Sequence, residues 1–360
     1  MTPDRDADMS RFERLERAGG ERIGSSRAVK RVSMADVASL AGVSGQTVSR
    51  VVNGSPRVDP TTRARVEAAM DQLGYRPHRA ARALRTGRTH TIGLVVSTLA
   101  TVGNSRMLQA VADAAAQRGY ALTVVTAADA AALIEAFDRL RDQGVDGAIV
   151  LNEATAAVRA TDAPTGLDLV VVDSPPSEGP GAARFGIVQS DHDSGARAAT
   201  EHLIGLGHAT VWHLGGPEDS YAAAERERGW RAALEGAGLV APPVVRGDWT
   251  AASGHAEGVV LAERPDVSAV FVANDQMALG LLRALAAAGR AVPAEVAVVG
   301  FDDIADAADY LPPLSTVRQD FDELGERAVE ALIGAIDGGA PRTDVVPTRL
   351  IVRESSAARG

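Results

Sequence analysis

The chain contains 360 residues, of which 46% are hydrophobic and 23% charged, and it has no cysteine. This length exceeds one compact domain and predicts two or three. The missing cysteines exclude a disulfide scaffold, a zinc finger, an iron–sulfur site and a thiol nucleophile. No apolar run reaches the roughly 18 residues of a membrane span, and the charged N-terminus lacks a signal-peptide core. We therefore expect a cytoplasmic protein with no membrane partner.

The net charge of −10 is distributed unevenly along the chain. Residues 31–88 hold ten arginines against four carboxylates, a net charge of +6. Residues 1–30 carry +1, so residues 89–360 carry −17. Because the whole-chain sum hides a basic segment, the acidic total does not exclude nucleic acid as a partner.

Three short helices are predicted between residues 31 and 77, after a tail at 1–30 that we expect to be mostly disordered. Ser33 with Asp36 three residues later is a helix-start pattern, and Ser44 can cap the next helix. Two short helices joined by a tight glycine-containing turn are typical of a helix-turn-helix module. The predicted helices run from Ser33 to Gly42, from Gly45 to Val52 and from about Pro60 to Leu73.

Beyond residue 90, hydrophobic runs typical of strands alternate with alanine-rich helical stretches, which predicts parallel, doubly wound sheets. About 270 residues exceed one such domain, so we expect two α/β lobes with a ligand between them. The predicted strands are Thr91–Val96, Ala121–Thr126, Gly147–Leu151, Leu169–Asp173, Phe185–Val188, Val211–Leu214, Val244–Gly247, Ala269–Ala273 and Ala297–Gly300. The predicted helices are 104–118, 129–143, 192–206, 221–237, 252–263 and 276–289.

Residues 32–84 carry a specific resemblance to a known family. The stretches DVA, AGVSGQTVSRVVN, TRARVEAAM and ARAL follow one another in the order and spacing of the headpiece of the lactose-repressor family of bacterial transcription factors. The resemblance implies that each all-α helix-turn-helix headpiece binds one half-site of double-stranded operator DNA. A near-palindromic operator then requires a homodimer.

The second helix is the expected recognition helix, whose first-turn side chains reach base edges in the major groove. Gln46 can bond adenine and Arg50 can bond guanine bidentately, whereas small polar groups bond phosphates. Taken singly, either side chain could belong to an ordinary solvated helix. The expected DNA contacts are Ser33, Ser44, Gly45, Gln46, Thr47, Ser49, Arg50, Asn53, Arg57, Val58, Thr62, Tyr75, His78, Ala81 and Leu84.

Residues 78–85 (HRAARALR), in a linker that extends to 89, resemble the hinge helix of the family. The resemblance implies that this segment folds when two subunits meet on the operator. Leu84 would then enter the minor groove as an apolar wedge, with Ala81 beside it. The alternative is a flexible basic linker, which we expect in the DNA-free protein.

The resemblance continues to about residue 353 through VANDQMALG (272–280), VVGFDD (298–303) and LPPLSTVRQDF (311–321). It implies a periplasmic-binding-protein-like core of two doubly wound parallel-sheet lobes with a sugar in the cleft. The N-lobe is expected at about 90–188 and 318–346, and the C-lobe at about 189–317 and 347–353. Residues 354–360 are expected to form a tail.

Sugar binding requires planar polar side chains that bond adjacent hydroxyls, together with an aromatic face against the ring. Asn274 and Asp302 follow strands, and Arg226 can donate two parallel hydrogen bonds. Taken alone, such residues are more often helix caps or core residues. The expected cleft residues are Leu99, Thr101, Asn104, Asp173, Arg226, Trp249, Asn274, Asp302, Gln319 and Phe321.

A galactoside is the first hypothesis for the effector, while another sugar, a sugar phosphate or a purine stays open. Ala222, Ala224 and Thr101 depart from the family pattern, which leaves the aglycone undetermined. A sugar phosphate would require more basic residues than Arg226 alone. The sequence therefore predicts a repressor of sugar-utilisation genes that a small sugar releases from its operator.

The sequence lacks the motifs expected of other classes of protein, such as enzymes. The chain has no nucleophile elbow, P-loop, metal-ligand histidine pair or GxGxxG after the first strand, so we expect no catalytic residue, cofactor or metal site. A transport binding protein would share the lobes but not the headpiece. The chain ends in IVRESSAARG without apolar heptads, so we expect a dimer rather than a tetramer. The resemblance places 105–118 and the helix from Met277 at the dimer interface.

Overall fold

A computed structural model describes residues 32–75, 87–151, 166–175 and 185–356. These residues belong to two compact units, the first containing 32–75 and the second containing 87–356. The predicted tail at 1–30, the hinge at 78–85 and the last four residues, 357–360, lie outside the described residues.

The first unit consists of three helices, as predicted: α1 (Met34–Ala41), α2 (Gly45–Val52) and α3 (Pro60–Leu73). The Ser33 side chain accepts a hydrogen bond from the Asp36 N–H, and the Asp36 carboxylate accepts one from the Ser33 N–H. Aspartate thus completes a capping box in which glutamate is the usual partner. The helices enclose a small core around Val37, Val48 and Val66, which are fully buried.

The second unit contains two six-stranded sheets flanked by helices. Every predicted strand and helix is present, with ends shifted by at most two residues. Its strands are β1 (Thr91–Val96), β2 (Ala121–Thr126), β3 (Gly147–Leu151), β4 (Asp168–Val172), β5 (Gly186–Ser190), β6 (Trp212–Gly215), β7 (Val245–Arg246), β8 (Ala269–Val272), β9 (Ala297–Asp302), β10 (Ser315–Arg318), β11 (Thr343–Val346) and β12 (Arg349–Ile351). Its α-helices are α4 (Val102–Gln117), α5 (Ala130–Asp142), α6 (His192–Gly205), α7 (Tyr221–Gly236), α8 (Ala251–Ala262), α9 (Asp275–Ala287) and α10 (Phe321–Ile336).

The first sheet has the strand order β11-β5-β4-β3-β1-β2 and the second has β12-β10-β9-β8-β6-β7. The chain crosses between the sheets three times, after Ser190, Arg318 and Val346. All strand pairs are parallel except β10 with β12, so the predicted parallel sheets carry one antiparallel edge strand.

Apolar side chains cover both faces of each sheet, which is why the central strands read as continuous hydrophobic runs. Helices α4 and α10 pack on one face of the first sheet and α5 on the other. Helices α8 and α9 cover one face of the second sheet and α6 and α7 the other. Helices α8 and α9 cross so closely that a Cβ atom at Gly280 would lie 2.2 Å from the Ala251 carbonyl oxygen.

Residues 354–356 are folded, which corrects their prediction as part of a tail. Glu354–Ser356 forms a 3₁₀ turn in which Ser355 and Ser356 are buried against the second sheet. The Ser355 hydroxyl accepts a hydrogen bond from the Ser315 N–H at 2.8 Å and donates one to the Val298 carbonyl at 2.6 Å. These contacts with residues distant in sequence are the reason that a polar segment is ordered here.

Candidate DNA-reading surface and effector cleft

Helix α2 presents the polar side chains expected to read DNA. Gly45, Gln46 and Arg50 are exposed, and Gln46 and Arg50 share one face because they lie four residues apart. Thr47 and Ser49 are half-buried at the edge of this face. The exposed side chains are therefore free to meet base edges without disrupting the three-helix core.

Several of the expected phosphate contacts have structural roles within the helix-turn-helix unit. The Ser44 hydroxyl caps α2 by accepting from the Thr47 N–H at 3.2 Å. The exposed Asn53 amide donates to the Ser49 hydroxyl at 3.2 Å. Ser33 caps α1, as described above. Each of these residues lies at a helix end, where capping and phosphate binding use the same polar groups.

Val58 and Tyr75, which the sequence also predicts as DNA contacts, are largely buried in this unit, and their role in DNA binding stays a prediction. They are only 9% and 7% exposed and pack in the core of the three helices. A unit this small has few large apolar side chains from which to build a core. Arg57 is exposed and Thr62 half-buried near the start of α3, whereas His78, Ala81 and Leu84 lie outside the described residues.

Two arginines of the basic segment stabilise turns. The Arg65 guanidinium donates to the Ala41 carbonyl at 2.5 Å and to the Gly42 carbonyl at 3.3 Å, at the end of α1. Arg63 donates to the Ser55 carbonyl at 2.7 Å. Some arginines of this unit therefore stabilise its fold in addition to contributing positive charge. The sequence alone does not show which arginines do so.

A cleft in the second unit holds about 510 Å³ of unfilled space, its open mouth included. Nine of the ten predicted effector residues line it. Leu99 does not, since its side chain is 40% exposed and only its carbonyl is engaged, accepting from the Ser105 hydroxyl at 2.8 Å. The lining residues are Thr101, Gly103, Asn104, Met107, Asp173, Ser220, Ala222, Arg226, Trp249, Asn274, Asp302, Gln319, Phe321 and Leu324.

Arg226, on α7, is the cation of the cleft and is only 4% exposed. Its guanidinium donates to the Ala273 carbonyl, and its Nη2 lies 3.6 Å from Asp302 Oδ1. Its Cζ lies 3.9 Å from the ring centroid of Phe301 and 5.5 Å from that of Trp249. Arg226 therefore packs against two aromatic rings, with its charge balanced by a buried carboxylate.

Asp302 ends β9 with a left-handed φ of 115° and is buried. Its Oδ1 accepts a hydrogen bond from the Gln319 amide at 2.6 Å. Burial raises the pKa of Asp302, and the nearby Arg226 charge and the Gln319 hydrogen bond oppose that rise.

Asp173 and His192 connect the two lobes at the cleft. Asp173 follows β4 with a φ of 57°, and its Oδ1 lies 2.9 Å from His192 Nε2. The Arg226 Nε–H donates to His192 Nδ1 at 3.4 Å. A polar chain therefore runs from Asp173 through His192 and Arg226 to Asp302. Sequence reasoning missed His192, which follows Asp191 in an otherwise ordinary helix start.

Three of the predicted polar residues are also helix-start residues. Asn274 caps α9 by accepting from the Met277 N–H at 2.9 Å, and its amide donates to the Trp249 carbonyl at 3.0 Å. Thr101 caps α4, and the buried Asn104 amide donates to the Thr98 carbonyl at 2.9 Å. These side chains border the cleft and also fix the backbone around it.

The apolar part of the wall comes from both lobes. Met107 and Leu324 belong to the helices of the first sheet, and Phe321 begins α10. Trp249 has a left-handed φ of 74° and is 9% exposed. Its indole Nε1 is buried with no hydrogen-bond partner among the described residues. A ring with a spare donor beside charged side chains is suited to a ligand with one apolar face and several hydroxyls.

The described residues contain no helix long and apolar enough to cross a membrane. Within the same ranges, no group of three or more histidine, aspartate or glutamate residues is arranged to hold a metal ion.

Comparison with known proteins identifies both units. Residues 33–78 match the family described as bacterial regulatory proteins, lacI family, and residues 200–356 match a periplasmic binding protein-like domain. The lactose operon repressor of Klebsiella pneumoniae is 38% identical, over 90% of this chain and 92% of its own length.

Two solved structures are also similar over most of the chain. A lac repressor dimer bound to operator and the anti-inducer ONPF superposes with a TM-score of 0.80, at 35% identity over 91% of this chain and 100% of that one. A complex of the transcriptional regulator CelR with cellobiose gives a TM-score of 0.68, at 36% identity and the same coverage of both chains. The chain belongs to the lacI family of bacterial regulatory proteins and is a DNA-binding transcriptional regulator with a sugar-binding type of core.

Proposed function

We propose that this protein is a repressor of sugar-utilisation genes, released from its operator by a small neutral sugar that binds in the cleft. The convergence of Arg226, Asp302, Asp173 and Trp249 on one cleft carries the proposal. These residues come from four segments that are far apart in sequence. Together they supply charged hydrogen-bonding groups and an aromatic face.

The charges of the cleft favour a neutral ligand. Asp173 and Asp302 supply acceptors for hydroxyl groups, whereas Arg226 is the one cation among the lining residues. Its guanidinium is already engaged with Asp302 and the Ala273 carbonyl. A sugar phosphate would bring two further negative charges next to these carboxylates at a large electrostatic cost. A neutral polyol can donate to both carboxylates instead.

A galactoside is the first candidate and a β-linked glucose disaccharide the second. The first follows from the similarity to a lactose operon repressor. The second follows from the comparable similarity to a regulator solved with cellobiose. Ala222 lies in the wall of the cleft and offers no polar group to a second ring.

We assign sequence reading to Gln46 and Arg50 on the exposed face of α2. We assign phosphate contacts to the small polar residues at the helix ends. The −17 net charge of residues 89–360 repels DNA, so contact is confined to the basic segment. Operator affinity should therefore fall steeply as salt rises, because binding releases counterions from the phosphates.

A two-fold homodimer would place two such helices on one operator. Helices α4 and α9 are the proposed interface elements, and Leu279 on α9 is 43% exposed. The lac repressor structure cited above is itself a dimer on operator. No catalytic role is proposed for the cleft, because Asp302 is bonded to Gln319 and close to Arg226 rather than to a group that could transfer its proton.

The test combines a ligand screen with operator release. The purified protein would be melted with lactose, cellobiose, ribose and galactose 6-phosphate, since ligand at a hundred times its Kd adds about 2.7 kcal/mol. A DNA fragment selected from a random pool with the same protein then serves as operator. We expect a neutral disaccharide both to stabilise the protein and to release this fragment. Stabilisation by galactose 6-phosphate alone would contradict the assignment.

A further inference from the structure

Asp275 is a buried carboxylate next to the cleft that the proposed function does not use. It is the first residue of α9 and is 0% exposed. Its Oδ2 accepts from the Ile304 N–H at 2.9 Å, and its Oδ1 accepts from the Thr316 hydroxyl at 2.6 Å. Asp275 therefore joins the start of α9 to the end of β9 and to the neighbouring strand β10.

The bonded Ile304 N–H closes a strained turn. Asp302 and Asp303, which precede it, have φ values of 115° and 54°, in the region that side chains other than glycine avoid. Such a conformation persists only where the surrounding structure holds it. Asp303 is held by Arg318 and Arg353, and Asp275 holds the next residue, so the turn is fixed from two sides.

The strand next to Asp275 leaves room for its carboxylate. A Cβ atom at Gly300 would lie 2.3 Å from Asp275 Oδ1, so only glycine allows the carboxylate to reach both partners. Burial, followed by the charge of Asp302, raises the pKa of Asp275 well above its usual range. Asparagine can keep both contacts, because its oxygen can accept from the Ile304 N–H and its amide can donate to the Thr316 hydroxyl.

We propose that Asp275 is a positioning residue, which fixes the turn at 302–304 and so presents the Asp302 carboxylate to the effector. This inference rests on the proposed role of Asp302 in sugar binding. Asn274 has a parallel task, since its amide donates to the carbonyl of Trp249, another residue with a left-handed φ. The adjacent residues Asn274 and Asp275 thus hold the backbone at or beside two residues that line the cleft.

The test measures lactose and cellobiose affinity by calorimetry on the full chain. We expect Asp275→Ala to lower the affinity for the sugar that binds by at least tenfold. The affinity of Asp275→Asn should stay within threefold of that of the wild type. Asp306→Ala is the matched control, because it removes an exposed carboxylate from the same segment. Operator affinity without sugar should be unchanged in all three variants.

Hydrogen exchange of the Ile304 amide provides a second readout that needs no sugar. It should be faster in Asp275→Ala than in Asp275→Asn. Thr316→Val, which removes only a hydroxyl, should accelerate it too, and this variant covers the case in which Asp275→Ala does not fold. Equal exchange in the alanine and asparagine variants would overturn the proposal.

The sugar titrations separate this inference from the proposed function. If Asp302→Ala loses sugar binding while Asp275→Ala and Thr316→Val keep it, the cleft assignment stands and the positioning role is wrong. If Asp302→Ala binds as the wild type does, both fail. An Asp275→Asn variant as weak as Asp275→Ala would show that a charge is required, which also overturns the role argued here.

Discussion

The two regions expected to bind ligands are built in opposite ways. In the helix-turn-helix unit, Gln46 and Arg50 are exposed, and the side chains that cap the helices bond partners three or four residues away. In the cleft, Arg226 and Asp302 are buried and bond partners far along the chain. The DNA-reading surface is thus separable from folding, whereas the effector site is part of the core.

This difference has a practical consequence for substitutions. A change on α2 should alter recognition without altering stability, while a change in the cleft should alter both.

Arg226→Ala should cost about 3–5 kcal/mol of stability, because it leaves the Asp302 carboxylate buried without its charge partner. Sugar binding should be lost, whereas operator affinity should persist, giving a repressor that sugar does not release. Thermal melts, calorimetry with sugar and gel shifts would measure the three quantities. Arg228→Ala is the control, since that side chain is 62% exposed on the same helix. An unchanged melting temperature for Arg226→Ala would contradict the conclusion that the cleft residues also stabilise the core.

The pH dependence of the core should differ from that of the helix-turn-helix unit. Burial lowers the pKa of His213 to about 4, and its ring stacks on Phe271 at 4.9 Å. Because the folded pKa lies below the unfolded value of about 6.5, stability is present above pH 6.5 and is lost as pH falls toward 4. The loss approaches about 3 kcal/mol, at 1.36 kcal/mol per pKa unit.

His213→Asn should remove this component of the pH dependence, since an amide can still donate to the Phe271 carbonyl that His213 contacts at 3.0 Å. The difference between wild-type and variant melts from pH 7 to pH 4 isolates the effect. Residues 32–75 contain no histidine, so their unfolding should show no such difference. If the melting temperatures of the wild type and of His213→Asn changed with pH in the same way, the prediction would be contradicted.

Arg50→Ala should weaken operator binding by about 10- to 100-fold, the equivalent of 1–3 kcal/mol for one bidentate base contact. The melting temperature and sugar affinity should not change, because the side chain is exposed on α2. Gel shifts against the selected operator and a variant with each guanine replaced would locate the lost contact. Normal binding by Arg50→Ala would remove α2 as the reading element.

Ser33→Ala should have the smallest effect, about 1 kcal/mol of the stability of the helix-turn-helix unit, through loss of the capping box at α1. Ser39→Ala, at an exposed position inside the same helix, is the control and should be neutral or slightly stabilising. Chemical denaturation followed by circular dichroism would report the change. A loss of stability as large as that expected for Arg226→Ala would contradict the conclusion that the Ser33 cap acts only on the start of α1.

The sequence predicts most elements but few of their long-range contacts. Helices α1 to α3 could be placed because each N-cap side chain bonds a backbone N–H within three residues of it. Strands β10 to β12 and helix α10 were not assigned from the hydrophobic pattern. Nine cleft residues were predicted from the family resemblance, and His192 and Asp275 were missed because their roles depend on distant partners.

By itself, the sequence determined the division into a basic headpiece and an acidic core, the strand–helix alternation and the polar face of α2. These are local properties, set by charge, hydrophobic period and capping within a few residues. The tertiary structure decided that Val58 and Tyr75 belong to a core, that Leu99 lies outside the cleft and that Arg226 packs against two aromatic rings. Such outcomes depend on contacts between residues tens to hundreds of positions apart, which only the folded chain brings together.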